Sequence, residues 1–232
     1  MSTTDKPIIF SAPMVRALLD GRKTMTRRVV KLPTKGEYVR PDMGGWAASK
    51  LGGGSCFRIG KDGSRIPVPE QPVIWNQTTG TCLGLKYEVG DLLWVRESFS
   101  DTRIAGLDIP YHYKADIRTK SESDDIRVAY GLKWQPSIHM PKIASRLTLE
   151  VTAVKLELLK DISRGDAMEE GCPFPNMAKG DDPRQWFRSL WESINGPGSW
   201  EANPWVVAVS FKVHKCNVSE TPYLASPTEK AV

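Results

Sequence analysis

The segment GRKTMTRR, residues 21–28, places four cations and two hydroxyls within eight positions. Lys23 stands among Arg22, Arg27 and Arg28. Neighbouring cations disfavour its charged form and lower its pKa towards the range where a neutral amine serves as base or nucleophile. Thr26 follows three residues on, and in strand geometry Thr24 and Thr26 share one face, so a hydroxyl comes within reach of the amine. The same spacing is also that of a solvated basic turn, the commoner use of such a run.

Three further groups bear on chemistry. Glu169 and Glu170 close a short helical segment, and two acids there oppose the helix dipole, which hints at another use than helix stability. A solvent-facing helix end is the plainer alternative. The segment WVRE sets Arg96 and Glu97 at a strand end, where an ion pair is the first expectation and substrate contact the second. Of the eight tryptophans most belong to a core, but Trp200, in the loop NGPGSWEANP, is the one suited to stacking on a nucleobase. His139, in SIHMP, has the chemistry of a base, although a histidine near a core is more common.

Other chemistries find no footing. The sequence holds no phosphate-loop, dinucleotide or nucleophile-elbow motif. Cys56, Cys82, Cys172 and Cys216 are far apart without a C-x-x-C pair, and with three histidines a structural zinc site is not expected. The HKC triplet at 214–216 is the nearest thing to a ligand pair; reduced, unpaired thiols are the better reading. No metal or cofactor is expected. A net charge of +5 suits a phosphate-bearing partner without demanding one. The chain has neither an apolar run of about 20 residues nor a signal-peptide pattern, so a cytoplasmic protein with no membrane partner is expected.

The elements that must position these residues follow from periodicity. Ser11 to Asp20 reads as a helix capped by Ser11, with Pro13 in its first turn and Gly21 as its stop. KTMTRRVV then begins a strand. From about 31 to 86 the pattern dissolves into glycine, serine and proline, which reads as a long loop insertion with a hairpin at GKDGS. LLWVRE, YHYKA and VAYGLKW read as short strands. RLTLEVTAVKLELL is the strongest strand, with a phase change near Thr152 that predicts a bulge or bend. Ser163 caps a short helix with Asp166 three residues on, and a helix from Pro183 to Ile194 carries Trp186, Leu190, Trp191 and Ile194 on one stripe. NPWVVAVSFKVHK is a closing strand, and residues 217–232 read as a disordered tail. The sum is an α+β chain: a small β-barrel-like sheet with short helices packed on it.

Four segments carry a resemblance: SAPMVRALLDGRKTMTRRVV, YEVGDLLWVRESF, LTLEVTAVKLELLKDISRGDAMEEG and NPWVVAVSFK. Together they resemble the ASCH domain of the PUA-like superfamily, and LWVRE with LWESINGPGSW is similar to bacteriophage- and prophage-encoded members. The likeness covers residues 1–216 outside the insertion. It implies a small PUA-like β-barrel with flanking helices and a cleft for RNA, a nucleoside or a nucleotide. A small bacterial ASCH enzyme, similar in G-R-K-T-x-T, hydrolyses the acetyl amide of N4-acetylcytidine with a lysine, a threonine and a glutamate. By that likeness Lys23, Thr26 and Glu170, with Glu169 the alternative, form the catalytic set. Arg27, Arg28 and Arg96 would hold a phosphate, sugar or oxyanion. The resemblance leaves two other functions open: a non-catalytic RNA- or DNA-binding module, and a phage accessory protein that binds a host protein.

Overall fold

A computed structural model describes residues 5–32, 45–54, 56–77, 80–102, 110–117, 119, 133–173 and 182–220. The chain enters as strand β1 (Asp5–Ile9) and turns at Ser11 into helix α1 (Ala12–Leu19). Ser11 is extended and Pro13 occupies the first turn, where its missing N–H is no loss. The helix buries Met14, Val15, Ala17 and Leu18, and Gly21 ends it with φ 72°, a left-handed value that glycine adopts without penalty. Strand β2 (Met25–Val29) follows.

The region 31–86 corrects the expectation of a loop. It contains β3 (Trp46–Leu51), β4 (Phe57–Ile59), β5 (Arg65–Pro67), β6 (Gln71–Asn76) and β7 (Cys82–Gly84). Strands β3, β6 and β7 form an antiparallel sheet. Strands β4 and β5 form the hairpin expected at GKDGS, whose turn is tied by Ser64 donating to Asp62. Most side chains of β3, β4 and β5 are exposed, so backbone pairing rather than apolar alternation makes these strands, and the alternation that would reveal them is missing. Residues 33–44 lie outside the described residues.

Next come β8 (Leu92–Arg96), β9 (Phe99–Asp101), β10 (Tyr111–Tyr113), β11 (Thr148–Leu158), α2 (Arg164–Glu169), α3 (Pro183–Asn195) and β12 (Trp205–His214). The main sheet has the order β1-β8-β11-β12-β2, with β1 parallel to β8 and the other pairs antiparallel. Its register shifts between Val151 and Ala153, at the bulge expected near Thr152. Leu93, Leu149 and Val209 from neighbouring strands bury against Val15 and Leu18 of α1. Each such side chain contributes about 1.5–3 kcal/mol by leaving water. A second core joins Leu159, Ile162, Phe187, Trp191 and Val206 under the two C-terminal helices.

The molecule is mixed α+β, but its described strands form open sheets, not the closed barrel expected from the sequence. Strands β1 and β2 are the two edges of the main sheet. They are nevertheless joined by a side chain: Arg28 of β2 donates from Nη2 to the Ile9 carbonyl of β1 at 2.7 Å. The tail also departs from expectation at its start, because Asn217 donates from Nδ2 to the Ser145 carbonyl at 2.7 Å and Val218–Glu220 form a 3-10 turn. Residues 221–232 lie outside the described residues, as do 128–132 of the expected strand VAYGLKW. No helix among the described residues is long and apolar enough to cross a membrane.

Candidate active site

The turn after α1 folds Lys23 back under its own helix. The Arg22 and Lys23 amides both donate to the Ala17 carbonyl, at 2.9 and 3.0 Å. Thr24 is held from both sides: its amide donates to Glu169 O at 2.8 Å, and its carbonyl accepts from Phe211 N at 2.9 Å. Lys23 and Glu170 therefore face each other across a short antiparallel bridge, although 147 positions separate them. Ser163 caps α2 by accepting from Asp166 N, as expected, and Glu170 is the residue that ends the helix. Gly171 follows with φ 100°, and a Cβ there would stand 3.0 Å from Ala17 Cβ and 3.2 Å from Lys23 Cβ. Glycine at this point allows α2 to end against the Lys23 turn.

Lys23 Nζ donates to Glu170 Oε2 at 2.7 Å and to the Glu170 carbonyl at 2.8 Å. The two residues are 1% and 3% exposed. Removal from water disfavours the ammonium and pushes the Lys23 pKa below the ordinary lysine value; Glu170 opposes this, while Arg28 and Arg27 add to the lowering. Crowding by arginines is thus the minor cause, and burial, which spacing does not reveal, the major one. Glu169, the alternative acid, is exposed, so Glu170 is the acid that meets Lys23.

Arg27 completes the cluster. It donates from Nε and Nη2 to Glu157 Oε1, from Nη2 to Asp166 Oδ2 at 2.5 Å, and from Nη1 to Glu170 Oε1 at 3.3 Å and Met25 Sδ. Its five N–H groups are all engaged and its side chain is wholly buried. This corrects the expectation that Arg27 contacts a substrate anion: it clamps three carboxylates. With Lys155 on Glu157 Oε2 at 2.6 Å, the cluster sets three cations against three acids. Glu157 and Asp166 were not foreseen as partners of Arg27. A usable signal existed, since a glutamate inside VKLELL sits among leucines and needs a cation if both strand faces are covered.

A cavity of about 430 Å³ opens on this cluster and is lined by Lys23, Thr26, Arg27, Arg28 and Glu170. That volume falls within the range of about 300–1,000 Å³ usual for small-molecule sites. Its apolar walls are Phe10 and Met14 on one side, and Phe187, Leu190 and Trp191 of α3 on the other. Phe10 carries two cations over its ring, Lys23 Nζ at 5.6 Å and the Arg28 guanidinium at 5.1 Å. Trp191, expected only as part of a helix stripe, has its buried indole N–H without a hydrogen-bond partner among the described residues. The cavity lies at the gap between the β1 and β2 edges, with Ile9 and Val29 at its rim.

Three expected contacts lie elsewhere. Arg96 is not on this cavity: it lies over Trp94 at 5.3 Å, donates to the Ile138 carbonyl and lines a neighbouring groove. Glu97 pairs not with Arg96 but with Arg146, whose Nε donates to Glu97 Oε1 at 2.8 Å. Successive strand residues point to opposite faces, which rules out the neighbour as partner. Trp200 is no stacking platform, being 7% exposed and packed edge-on against Phe187 at 6.2 Å in the second core. His139 is exposed in a 3-10 turn, and His214 Nε2 lies 3.0 Å from Glu150. Among the described residues no disulfide joins Cys56, Cys82, Cys172 or Cys216; the first two are exposed and Cys172 is buried. Among the described residues no three His, Cys, Asp or Glu side chains come together in a way that could hold a metal.

Comparison of the chain with protein-family models, with curated proteins and with solved structures finds no match.

Proposed function

We propose that the protein hydrolyses the amide of an N4-acylated cytidine, as a nucleoside, a nucleotide or within RNA, in the Lys23 cavity. One observation carries the reading: Lys23 and Glu170, distant in sequence, pair at 2.7 Å in a cavity that Thr26 also lines. The fold implied by the ASCH resemblance, a small PUA-like barrel, belongs to the same proposal. The hydrogen bond by which Arg28 joins the two edge strands of the main sheet is its support.

The reaction would run on protons that the cluster can hold. Neutral Lys23 takes a proton from water, or from the Thr26 hydroxyl, as that oxygen adds to the acyl carbonyl carbon. The C–N bond breaks as Lys23 and Glu170 return a proton to the leaving exocyclic nitrogen, releasing the cytosine amine and a carboxylic acid. If Thr26 is the nucleophile, the amine leaves first with the acyl group held as an ester on the Thr26 oxygen, and one water then hydrolyses that ester to release the acid. The buried indole N–H of Trp191 and the Arg28 guanidinium are the donors on the cavity wall that suit a developing oxyanion. A purely cationic nucleic-acid patch fits this cluster less well, because Lys23 and Arg27 are already matched by carboxylates.

The test is incubation with N4-acetylcytidine, its 5′-monophosphate and N4-acetylated RNA, followed by chromatography. Turnover of at least one is expected, falling by about 100- to 10,000-fold in Lys23→Met. No turnover of any acylated cytidine overturns the hydrolase, and full turnover in Lys23→Met overturns the role of Lys23. Salt-sensitive RNA binding without turnover would instead support a binding module.

A further inference from the structure

A second groove, of about 750 Å³, adjoins the Lys23 cavity and shares four lining residues with it: Ile9, Arg28, Val29 and Asn195. Its other wall comes from β7 and the segment leading into β8, Leu83 to Tyr87, of which Leu83 to Lys86 belong to the region absent from the ASCH resemblance. Four cations line it, Arg28, Lys31, Lys86 and Arg96, and no carboxylate does. Several buried or half-buried cations elsewhere are matched by acids, Lys6 by Asp91, Lys23 by Glu170 and Arg146 by Glu97, while Arg16 gives its guanidinium to the Ala115 and Ile117 carbonyls. None of the four groove cations forms an ion pair among the described residues, although Glu170 lies close enough to act on Arg28 through its charge.

Their hydrogen bonding is also incomplete. Arg28 and Arg96 each give an Nη2 to a backbone carbonyl, of Ile9 and Ile138 respectively, while each Nε is buried with no hydrogen-bond partner among the described residues. Two guanidinium groups with an unmet N–H, together with two exposed lysines, make an environment that a tetrahedral dianion satisfies and a neutral ligand does not. Arg28 and Asn195 line both spaces, so the groove begins where the Lys23 cavity ends.

We propose that this groove is a phosphate subsite, which receives a phosphate ester of the molecule whose base enters the Lys23 cavity. The inference rests on the nucleotide reading above only for the identity of that base. The substrate is then a nucleotide or a polynucleotide and not a free nucleoside. The region 31–86 supplies one wall of the subsite and so acts in recognition.

Binding can be measured without turnover, which separates this inference from the hydrolase reading. Calorimetry on the full chain with cytidine, cytidine 5′-monophosphate and a cytidine trinucleotide should find the monophosphate at least about tenfold tighter than cytidine, with the preference shrinking as salt rises. The double charge reversal K31E/K86E should abolish that preference; both lysines are exposed, and an unchanged unfolding midpoint confirms the fold. A trinucleotide that binds tighter still, with a steeper salt dependence, identifies a polynucleotide phosphate, whereas equal binding identifies a free nucleotide. Cytidine and its monophosphate binding alike, or a preference that survives K31E/K86E, overturns the subsite. A preserved phosphate preference with no deacylation leaves the subsite standing and removes the hydrolase.

Discussion

Two ionic networks stitch distant parts of this chain together, and they are built from different cations. In one, Lys23 and Arg27 hold Glu170, Glu157 and Asp166 beside a cavity. In the other, Arg146 spans Glu97 and Asp116 and lies 3.9 Å over the Tyr113 ring, with Glu97 only 1% exposed. Burial acts on both. It lowers the Lys23 pKa against the pull of Glu170, and it raises that of Glu97 against the pull of Arg146. The outcomes differ because an arginine keeps its proton whatever its surroundings, while a buried lysine can release one. A network whose only cation is arginine can tie a fold together but has no amine to serve as base. The lysine network, open to a cavity, also ties the fold together and has a proton to exchange.

The sharpest way to break the comparison is to remove each cation in turn. Arg146→Met leaves Glu97 buried without its partner, which costs about 3 kcal/mol or more, read as a lower denaturant midpoint with unchanged m-value. Turnover per folded molecule should not change. Lys23→Met should show the opposite: the large loss of turnover given above, with the smaller stability loss, because Glu170 keeps Arg27 at 3.3 Å. Equal stability losses with turnover intact in both would reduce the Lys23 cluster to a second staple.

How much of this was legible in the sequence depends on how each residue is held. Helix α1, the Ser163 cap and the β11 bulge were readable because short-range pattern and turn chemistry determine them. Lys23, Thr26 and Glu170 as a group were named through the resemblance. Nothing local indicates that a bridge from Thr24 to Glu169 would bring Lys23 to Glu170. The partners of Arg27 and Glu97 were missed because a buried charge is satisfied by whatever tertiary contact reaches it, here from β11, α2 and Arg146. Trp200 was misplaced for a related reason: a loop flanked by glycines looks exposed, yet its ring closes the core against Phe187. Strand β3 stayed hidden since its side chains carry no alternation, whereas β4 and β5 were legible only through the turn at GKDGS.

A smaller perturbation tests how finely Lys23 is placed. Gly171→Ala puts a Cβ at φ 100° and within 3.2 Å of Lys23 Cβ, whereas Gly198→Ala meets a comparable φ of 80° with nothing within 4 Å. Both substitutions bear backbone strain of about 1–3 kcal/mol. Only the first also crowds the junction of α1 and α2. Gly171→Ala should therefore lose turnover as well as stability, and Gly198→Ala stability alone. Equal turnover in the two variants would mean that the Lys23 turn tolerates displacement.

The smallest effect lies in the alkaline arm of the stability profile, where the two networks have opposite signs. Lys23 has a lowered folded pKa, so the unfolded chain binds the extra proton between that value and the ordinary 10.5. Stability from this group is full above 10.5, is lost as pH falls through the lowered pKa, and so rises with pH across that window. Tyr113, whose hydroxyl donates to the Ala144 carbonyl, is pushed up to about 12 by burial, with Arg146 opposing and Glu97 adding to the rise. The unfolded phenol ionises first, near 10, so the stability Tyr113 contributes is full below 10 and is lost as pH climbs towards 12. Chemical denaturation across this range should then give a profile that rises and afterwards falls. Lys23→Met should remove the rising limb and Tyr113→Phe the Tyr113 share of the falling one. If Lys23→Met leaves the rise in place, the lysine is not the titrating member of its network, and the contrast between a proton-exchanging cluster and a fixed one fails.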